Sequence, residues 1–295
     1  MGRARIEDHR LEIEDGHTIG YATWGVPGGT PVLICHGTPG SRRDRYPLLE
    51  DEGWLQRRGV RFVGVDRPGY GDSDPRSDAG LAECAGLYLR VADTLGIEDF
   101  SVFGVSGGGP HAIALGALAP ARVGRVAVVA GLGTLDRPDA LEGMGEANVE
   151  EFGMAKESPD ELQTALEEEA RALRDDPEAA IDALFSAFSE VERRALEDPE
   201  LRRILQETAE VATRQGAAGW VEDDLRFVRP WPFTLEEVAV EVFLYHGEED
   251  VLVPAQHARA LAEKLPEGRL RSYPGEGHFS MKDHMEEVFD DLLGP

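Results

Sequence analysis

The chain has 295 residues, of which 57 are acidic and 30 are lysine or arginine, so its formal net charge at pH 7 is −27. This charge repels the phosphates of nucleic acids and anionic lipids, and neither is an expected partner. Hydrophobic residues make up 41% of the chain, which is enough for a large core, and no apolar run approaches the roughly 18 residues of a membrane helix. The first residues contain no apolar signal-peptide segment, so we expect a soluble, cytoplasmic protein.

Short apolar runs alternate with helical patterns through roughly the first 130 residues and return near the C-terminus. The predicted strands are residues 32–35, 60–65, 101–105, 123–129, 240–246 and 269–273. Nearly uninterrupted apolar strands separated by helices predict a mostly parallel sheet with helices on both faces. Residues 10–14 and 18–24 flank Asp15-Gly16, and this pattern predicts an antiparallel hairpin at the start of the sheet.

Between about residues 134 and 238 the strand pattern stops and helical patterns follow one another. Ser158, Asp176 and Asp198 each precede a proline and acidic residues, which is typical of a helix start. Because strands resume afterwards, we predict one α/β domain of residues 1–133 and 239–295, with a helical cap of residues 134–238 inserted into it.

The predicted cap holds 28 acidic and 11 basic residues, and therefore 17 of the 27 net negative charges. A solvated helical surface is the simplest explanation of this charge. An acidic lid over a pocket would also disfavour anionic substrates and mildly favour neutral or cationic ones.

Residues 104–108 form a G-x-S-x-G motif with Ser106 at its centre. The motif follows a predicted strand directly and precedes a predicted helix at residues 111–119. A serine on a sharp turn between strand and helix projects its hydroxyl above the sheet, and the start of the helix favours developing negative charge. The position predicts that Ser106 is a nucleophile; a glycine-rich turn without chemistry is the alternative.

A serine hydroxyl needs a base and a third group that orients the base. When such a motif lies on a parallel sheet of this kind, the order along the chain is serine, acid, histidine. His278, in a glycine-flanked loop after the last predicted strand, is the predicted base. Asp250, in the loop after the preceding strand, is the predicted acid, with Glu248, Glu249 and Asp136 as alternatives.

The tetrahedral intermediate of acyl transfer carries a negative oxygen that needs backbone N–H donors. Gly107, the residue after the nucleophile, is one predicted donor. The other is expected in the loop of residues 36–40, and Thr38 is the candidate because Pro39 has no N–H. His36 is expected to brace this loop by hydrogen bonding.

Together with D-R-P-G-Y-G-D-S-D at residues 66–74, these segments resemble the α/β-hydrolase superfamily, and they occur in its order along the chain. The resemblance implies an eight-stranded, mostly parallel sheet with a helical cap between the sixth and seventh strands. It also implies a set of site residues: Ser106 as nucleophile, Asp250 as acid, His278 as base, and the N–H groups of Thr38 and Gly107 as oxyanion donors.

Serine at the turn argues against the haloalkane dehalogenases and epoxide hydrolases of this superfamily, which use aspartate there. The predicted activity is cleavage of a carboxylic ester, with a neutral small molecule as substrate and no metal or organic cofactor. Carbon–carbon bond hydrolases and lactonases share the same triad and stay open as alternatives. A ligand receptor on the same fold, without turnover, is the alternative outside the enzymes.

Two further groups of side chains are candidates for substrate contact. Trp220, Phe227 and Trp231 would line an acyl pocket, although packing at the return to the sheet is the simpler explanation. Arg42 and Arg43 would bind a substrate carboxylate, but we expect them to be a solvated pair.

Overall fold

The computed structural model describes residues 2–77, 79–186 and 189–294. The strands of this part of the chain form one eight-stranded sheet in the order β1-β2-β4-β3-β5-β6-β7-β8. Their bounds are β1 Glu7–Glu12, β2 Thr18–Gly25, β3 Thr30–Cys35, β4 Val60–Val65, β5 Phe100–Val105, β6 Val123–Val129, β7 Glu241–Gly247 and β8 Gly268–Tyr273.

The predicted strands and the predicted fold class are confirmed. β1 and β2 form the antiparallel hairpin, and β2 pairs antiparallel with β4. All other neighbouring strands are parallel. The strands from β3 to β7 are almost fully buried, which explains why their sequences are apolar on both faces.

Helices cover both faces of the sheet. Their bounds are α1 Glu52–Arg58, α2 Leu81–Thr94, α3 Gly108–Leu118, α4 Glu146–Glu157, α5 Pro159–Asp175, α6 Pro177–Ser186, α7 Glu190–Ala195, α8 Pro199–Ala212, α9 Ala218–Phe227, α10 Gln256–Lys264 and α11 Met285–Leu293. Helices α2, α3 and α10 contribute to one apolar cluster, and α1 and α11 to another. β5 supplies Val102 to the first cluster and Phe103 to the second, as the alternation along a strand requires. No helix in the described ranges is both long and apolar enough to cross a membrane.

Helices α4 to α9 follow one another between β6 and β7, and we call residues 134–238 the helical insertion. Helices α5, α6 and α8 begin at the predicted prolines. The carboxylate of Asp198 accepts the N–H groups of Glu200 and Leu201, and that of Asp176 accepts one further N–H. Ser158 is likewise the N-cap residue of α5, as predicted, but its hydroxyl makes no capping bond. Its backbone carbonyl accepts the N–H groups of Glu161 and Leu162 at the helix start.

Asp223, on α9, joins the helical insertion to the sheet domain. Its carboxylate is fully buried and pairs with Arg67, which follows β4, and with Arg226. It also accepts hydrogen bonds from the hydroxyls of Thr38, at 2.8 Å, and Tyr70, at 3.1 Å. Burial alone would raise the pKa of Asp223, but the charge of Arg67 and the surrounding donors hold that pKa well below 3.8.

Replacement of Asp223 by alanine leaves two buried guanidinium groups without their main partner. We therefore expect D223A to lower the free energy of unfolding by about 3–5 kcal/mol in a urea titration followed by circular dichroism. The matched control is D182A, which removes the exposed ion pair between Asp182 and Arg202 in the same insertion. The control should change the free energy of unfolding by less than about 1 kcal/mol. Equal effects of the two variants would contradict the anchoring role of Asp223.

Candidate active site

The loops that carry the predicted site residues leave the sheet at one edge. They follow β3, β5, β7 and β8, which belong to the parallel part of the sheet. The carboxyl ends of parallel strands lie along the same edge, where open α/β sheets bind their ligands. The topology therefore gathers residues that are far apart in sequence.

Ser106 lies in a strained turn between β5 and α3. Its backbone φ is +53°, a left-handed value that is rare for residues other than glycine. The turn is held by hydrogen bonds from Ser106 N–H to Val129 O, at 3.0 Å, and from the N–H groups of Gly109 and Leu132 to Ser106 O. Ser106 itself is only partly buried.

His278 is hydrogen bonded to Asp250. Nδ1 of His278 lies 2.8 Å from Oδ2 of Asp250, and both side chains are buried. The other carboxylate oxygen, Oδ1, accepts the N–H groups of Leu252 and Val253, each at 2.9 Å. These bonds fix the direction of the Asp250 carboxylate. The three other acidic candidates, Glu248, Glu249 and Asp136, are exposed.

The pair of Asp250 and His278 shifts both pKa values. Burial by itself would raise the pKa of Asp250, but the charge of His278 and contacts with His246 bring that pKa below 3.8. Burial lowers the pKa of His278, but Asp250, Glu192 and Asp44 outweigh it and raise the pKa above 6.5. Among the described residues, no hydrogen bond joins the Ser106 hydroxyl to His278. Such bonds often form only in the substrate complex.

The N–H groups of Thr38 and Gly107 donate no hydrogen bond within the described residues. The neighbouring N–H, that of Gly37, is occupied: it donates to Oδ2 of Asp44 at 2.7 Å. Gly107 lies against Thr38 so closely that a Cβ at position 107 would overlap the threonine side chain. The two predicted donor residues are therefore adjacent, and neither N–H is used by another group of the described residues.

His36 braces the loop after β3. One ring nitrogen, Nδ1, bonds to Gly37 O at 2.8 Å, and the other, Nε2, accepts the N–H of Arg67 at 3.1 Å. Burial and the charge of Arg67 hold the pKa of His36 well below 6.5. The neutral ring thus has one donor and one acceptor, as these two bonds require.

The three predicted aromatic residues occupy different places. The ring of Phe227 lies beside Gly107, where a Cβ on the glycine would be 3.1 Å from the Phe227 Cζ. Trp220 packs in an apolar cluster of the insertion and donates its indole N–H to Glu151 at 2.7 Å. Trp231 packs with Phe233 against the sheet cluster. Of the three, Phe227 is the one that the structure brings to the predicted oxyanion donors.

The expectation that Arg42 is solvated is wrong. Arg42 is 2% exposed, and its guanidinium pairs with Asp66, Asp72 and Asp8. Arg43 pairs with Asp8 as well. Two of these partners belong to the segment of residues 66–74 and one to β1, so the pairing depends on the fold and not on the local sequence. Both guanidinium groups are thus already paired with protein carboxylates.

Sequence reasoning missed two acidic residues that contact the site. The carboxylate of Asp44 accepts a hydrogen bond from the N–H of Gly37, as described above. Glu192, on α7, accepts the backbone N–H groups of His278 and Phe279, the latter at 2.9 Å. No motif surrounds either residue, and each meets its partner only through the fold.

No group of three or more histidine, cysteine, aspartate or glutamate side chains in the described part of the chain is arranged to hold a metal ion. The two cysteines, Cys35 and Cys84, are buried and free, and burial raises the pKa of both thiols. The arrangement at the strand ends is instead one of a hydroxyl, an imidazole with a carboxylate, and two free backbone N–H groups.

Known proteins resemble this chain over nearly its whole length. The chain is 27% identical to the bifunctional esterase/perhydrolase of Acinetobacter calcoaceticus over 296 residues, covering 96% of this chain and 97% of that protein. The solved structure of the enol-lactonase from Burkholderia xenovorans LB400 is similar with a TM-score of 0.68 at 16% identity, covering 97% of this chain and 98% of that chain.

The chain spans 66% of the length of another relative, the dihydrolipoyllysine-residue acetyltransferase component of the acetoin cleaving system of Pseudomonas putida, at 27% identity. A match to a further relative, an uncharacterized hydrolase of Bacillus subtilis (strain 168), covers 36% of the length of that protein. A family model described as alpha/beta hydrolase fold matches residues 30–285. Since this match covers most of the chain, from β3 to the start of α11, the chain belongs to the α/β-hydrolase fold family.

Proposed function

We propose that this protein is a serine hydrolase that cleaves carboxylic esters through an acyl-enzyme, with Ser106 as nucleophile, His278 as base and Asp250 as acid. The observation that carries the proposal is the buried hydrogen bond between His278 Nδ1 and Asp250, at the sheet edge where Ser106 occupies a strained turn. We also propose that residues 134–238 form a cap domain on a core of residues 1–133 and 239–295.

In the first step, Ser106 Oγ attacks the ester carbonyl carbon while Nε2 of His278 takes its proton. The carbonyl oxygen becomes an oxyanion, which accepts the N–H groups of Thr38 and Gly107. Asp250 keeps the other ring nitrogen of His278 as the donor and stabilises the imidazolium. Collapse of the intermediate breaks the bond to the alcohol, which receives the proton from His278.

In the second step, His278 removes a proton from water, and the resulting hydroxide attacks the acyl carbon. A second oxyanion forms at the same two N–H groups. Its collapse releases the carboxylic acid and returns the proton to Ser106 Oγ. The cycle consumes one water molecule and needs no redox partner.

The charges around the site favour an uncharged substrate. Asp44, Glu192 and Asp250 all act on the charge state of His278, while the nearest buried guanidinium groups are paired with protein carboxylates. An anionic substrate would meet repulsion from these carboxylates, because the guanidinium groups of Arg67 and Arg226 are already paired with Asp223. Phe227 offers an apolar surface beside Gly107 for the substrate, whereas Trp220 and Trp231 pack in other apolar clusters.

The first test is the variant S106A, assayed with short p-nitrophenyl esters and with a lactone, because a lactone is open to the same attack. Without the hydroxyl no acyl-enzyme forms, and we expect kcat to fall by about 10⁴-fold or more. The control is S101A, a change on β5, the strand that precedes Ser106. The Ser101 hydroxyl makes only one hydrogen bond, of 3.4 Å, to Leu292 O. The activity of this variant should stay near wild type. Turnover retained by pure, folded S106A would overturn the proposal.

The second test is the variant G107A. The added Cβ would overlap the Thr38 side chain and separate the two oxyanion donors, so we expect kcat to fall by about 10²-fold with little change in KM. The matched control is G86A on α2, where an added Cβ meets nothing within 4 Å. Steady-state kinetics that show equal kcat for the two variants would remove Gly107 from the proposed oxyanion hole.

The third test is the pH dependence of kcat/KM. His278 accepts a proton only when it is neutral, so activity rises as pH increases through its pKa. Because the charge of Asp250 outweighs burial and raises this pKa, we expect the midpoint of the rise above pH 6.5. A midpoint below that value would contradict the charge balance described around His278.

A further inference from the structure

We propose that Glu192 of the helical insertion is a positioning residue for His278, so that the insertion holds the base in place. This inference rests on the proposed function of His278. Asp250, on the sheet domain, orients the imidazole ring of His278. Glu192, on the helical insertion, holds the backbone that carries this ring.

The geometry of Glu192 is that of a clamp. Its two carboxylate oxygens accept two consecutive backbone N–H groups: Oε1 that of His278, and Oε2 that of Phe279 at 2.9 Å. Glu192 is fully buried, and no arginine or lysine of the described residues forms an ion pair with it. A carboxylate bonded in this way restrains the backbone at His278 in two directions.

The residue before His278 is Gly277, whose missing side chain leaves room for the Glu192 carboxylate. A Cβ at position 277 would overlap Oε1 of Glu192, so Gly277 leaves the space that the clamp needs. The N–H of Gly277 donates to Ser280 Oγ at 2.8 Å. Three consecutive N–H groups, those of residues 277 to 279, are therefore held by side chains, and two of them are held by the insertion.

Glu192 also acts on the charge of His278. The charged groups that face His278 are Asp250 in the loop after β7, Asp44 in the loop after β3, and Glu192 on α7. Nε2 of His246 also lies 3.4 Å from Oδ2 of Asp250. Burial raises the pKa of Glu192, while the charge of His278 and the two backbone N–H groups oppose this rise. A carboxylate that is ionised at this position favours the imidazolium and strengthens His278 as a base.

The decisive experiment compares E192Q with wild type over pH, using a neutral p-nitrophenyl ester. Glutamine removes the charge, and its amide turns an N–H donor toward one of the two backbone N–H groups. We expect the midpoint of the acid limb of kcat/KM to move down by about one pH unit. We also expect kcat to fall about 10- to 100-fold while KM stays within about twofold.

Two further variants make the result specific. E190Q removes an exposed charge from the same helix, where Glu190 pairs with Arg194, and should leave both kcat and the midpoint unchanged. E192D keeps the charge but shortens the reach of the carboxylate. It should lower kcat without moving the midpoint as far as E192Q does, and it serves as the test if E192Q does not fold by circular dichroism.

An E192Q protein that folds, keeps its kcat within twofold and keeps its midpoint would overturn the positioning role. If E192Q is unfolded, an E192D protein with wild-type kcat would overturn it equally. The S106A variant separates this inference from the proposed function: loss of turnover in S106A with no effect at position 192 rejects the inference alone.

Discussion

The buried carboxylate of Asp223 is the contact on which the arrangement of the site depends. It comes from the helical insertion and reaches the Thr38 hydroxyl, the Arg67 guanidinium and the Tyr70 hydroxyl, all on the sheet domain. Arg67 in turn donates to the backbone carbonyls of the loop after β3. One buried charge thus ties the helices to the loop that presents the N–H of Thr38. Such a charge is tolerated because cations and hydroxyl donors surround it.

The acidic residues of this chain divide into two groups with different physical roles. Most lie on the surface, where they give the chain its charge of −27. A few are buried or partly buried and hold the backbone or other side chains at the strand ends. Asp44 accepts Gly37 N–H, Asp250 accepts two N–H groups besides His278, and Glu192 accepts two more. A carboxylate suits this task because each of its oxygens accepts charge-assisted hydrogen bonds.

Two residues other than glycine have a strained backbone at the ends of neighbouring strands. Ser106 and Ala130 both have positive φ although neither is glycine, and both follow neighbouring strands. The N–H of Ser106 bonds to Val129 O, and that of Ala130 bonds to Tyr245 O. The parallel ladder therefore holds both turns in conformations that the residues would not adopt alone. The helical insertion acts on the outer side of the same edge, through Asp223, Glu192 and Phe227.

The sequence by itself determined the sheet, the helix starts at the three prolines and the order of Ser106, Asp250 and His278. These depend on local patterns: uninterrupted apolar strands, proline at the first helical position, and glycines around the elbow and the histidine. The tertiary structure decided that Arg42 is buried and that Asp250, and not Glu248 or Glu249, meets His278. It also decided that Glu192 and Asp223 reach the site and that Trp231 packs elsewhere. These contacts join residues up to 185 positions apart, and no local pattern encodes which carboxylate meets which donor once parallel strands bring their ends together.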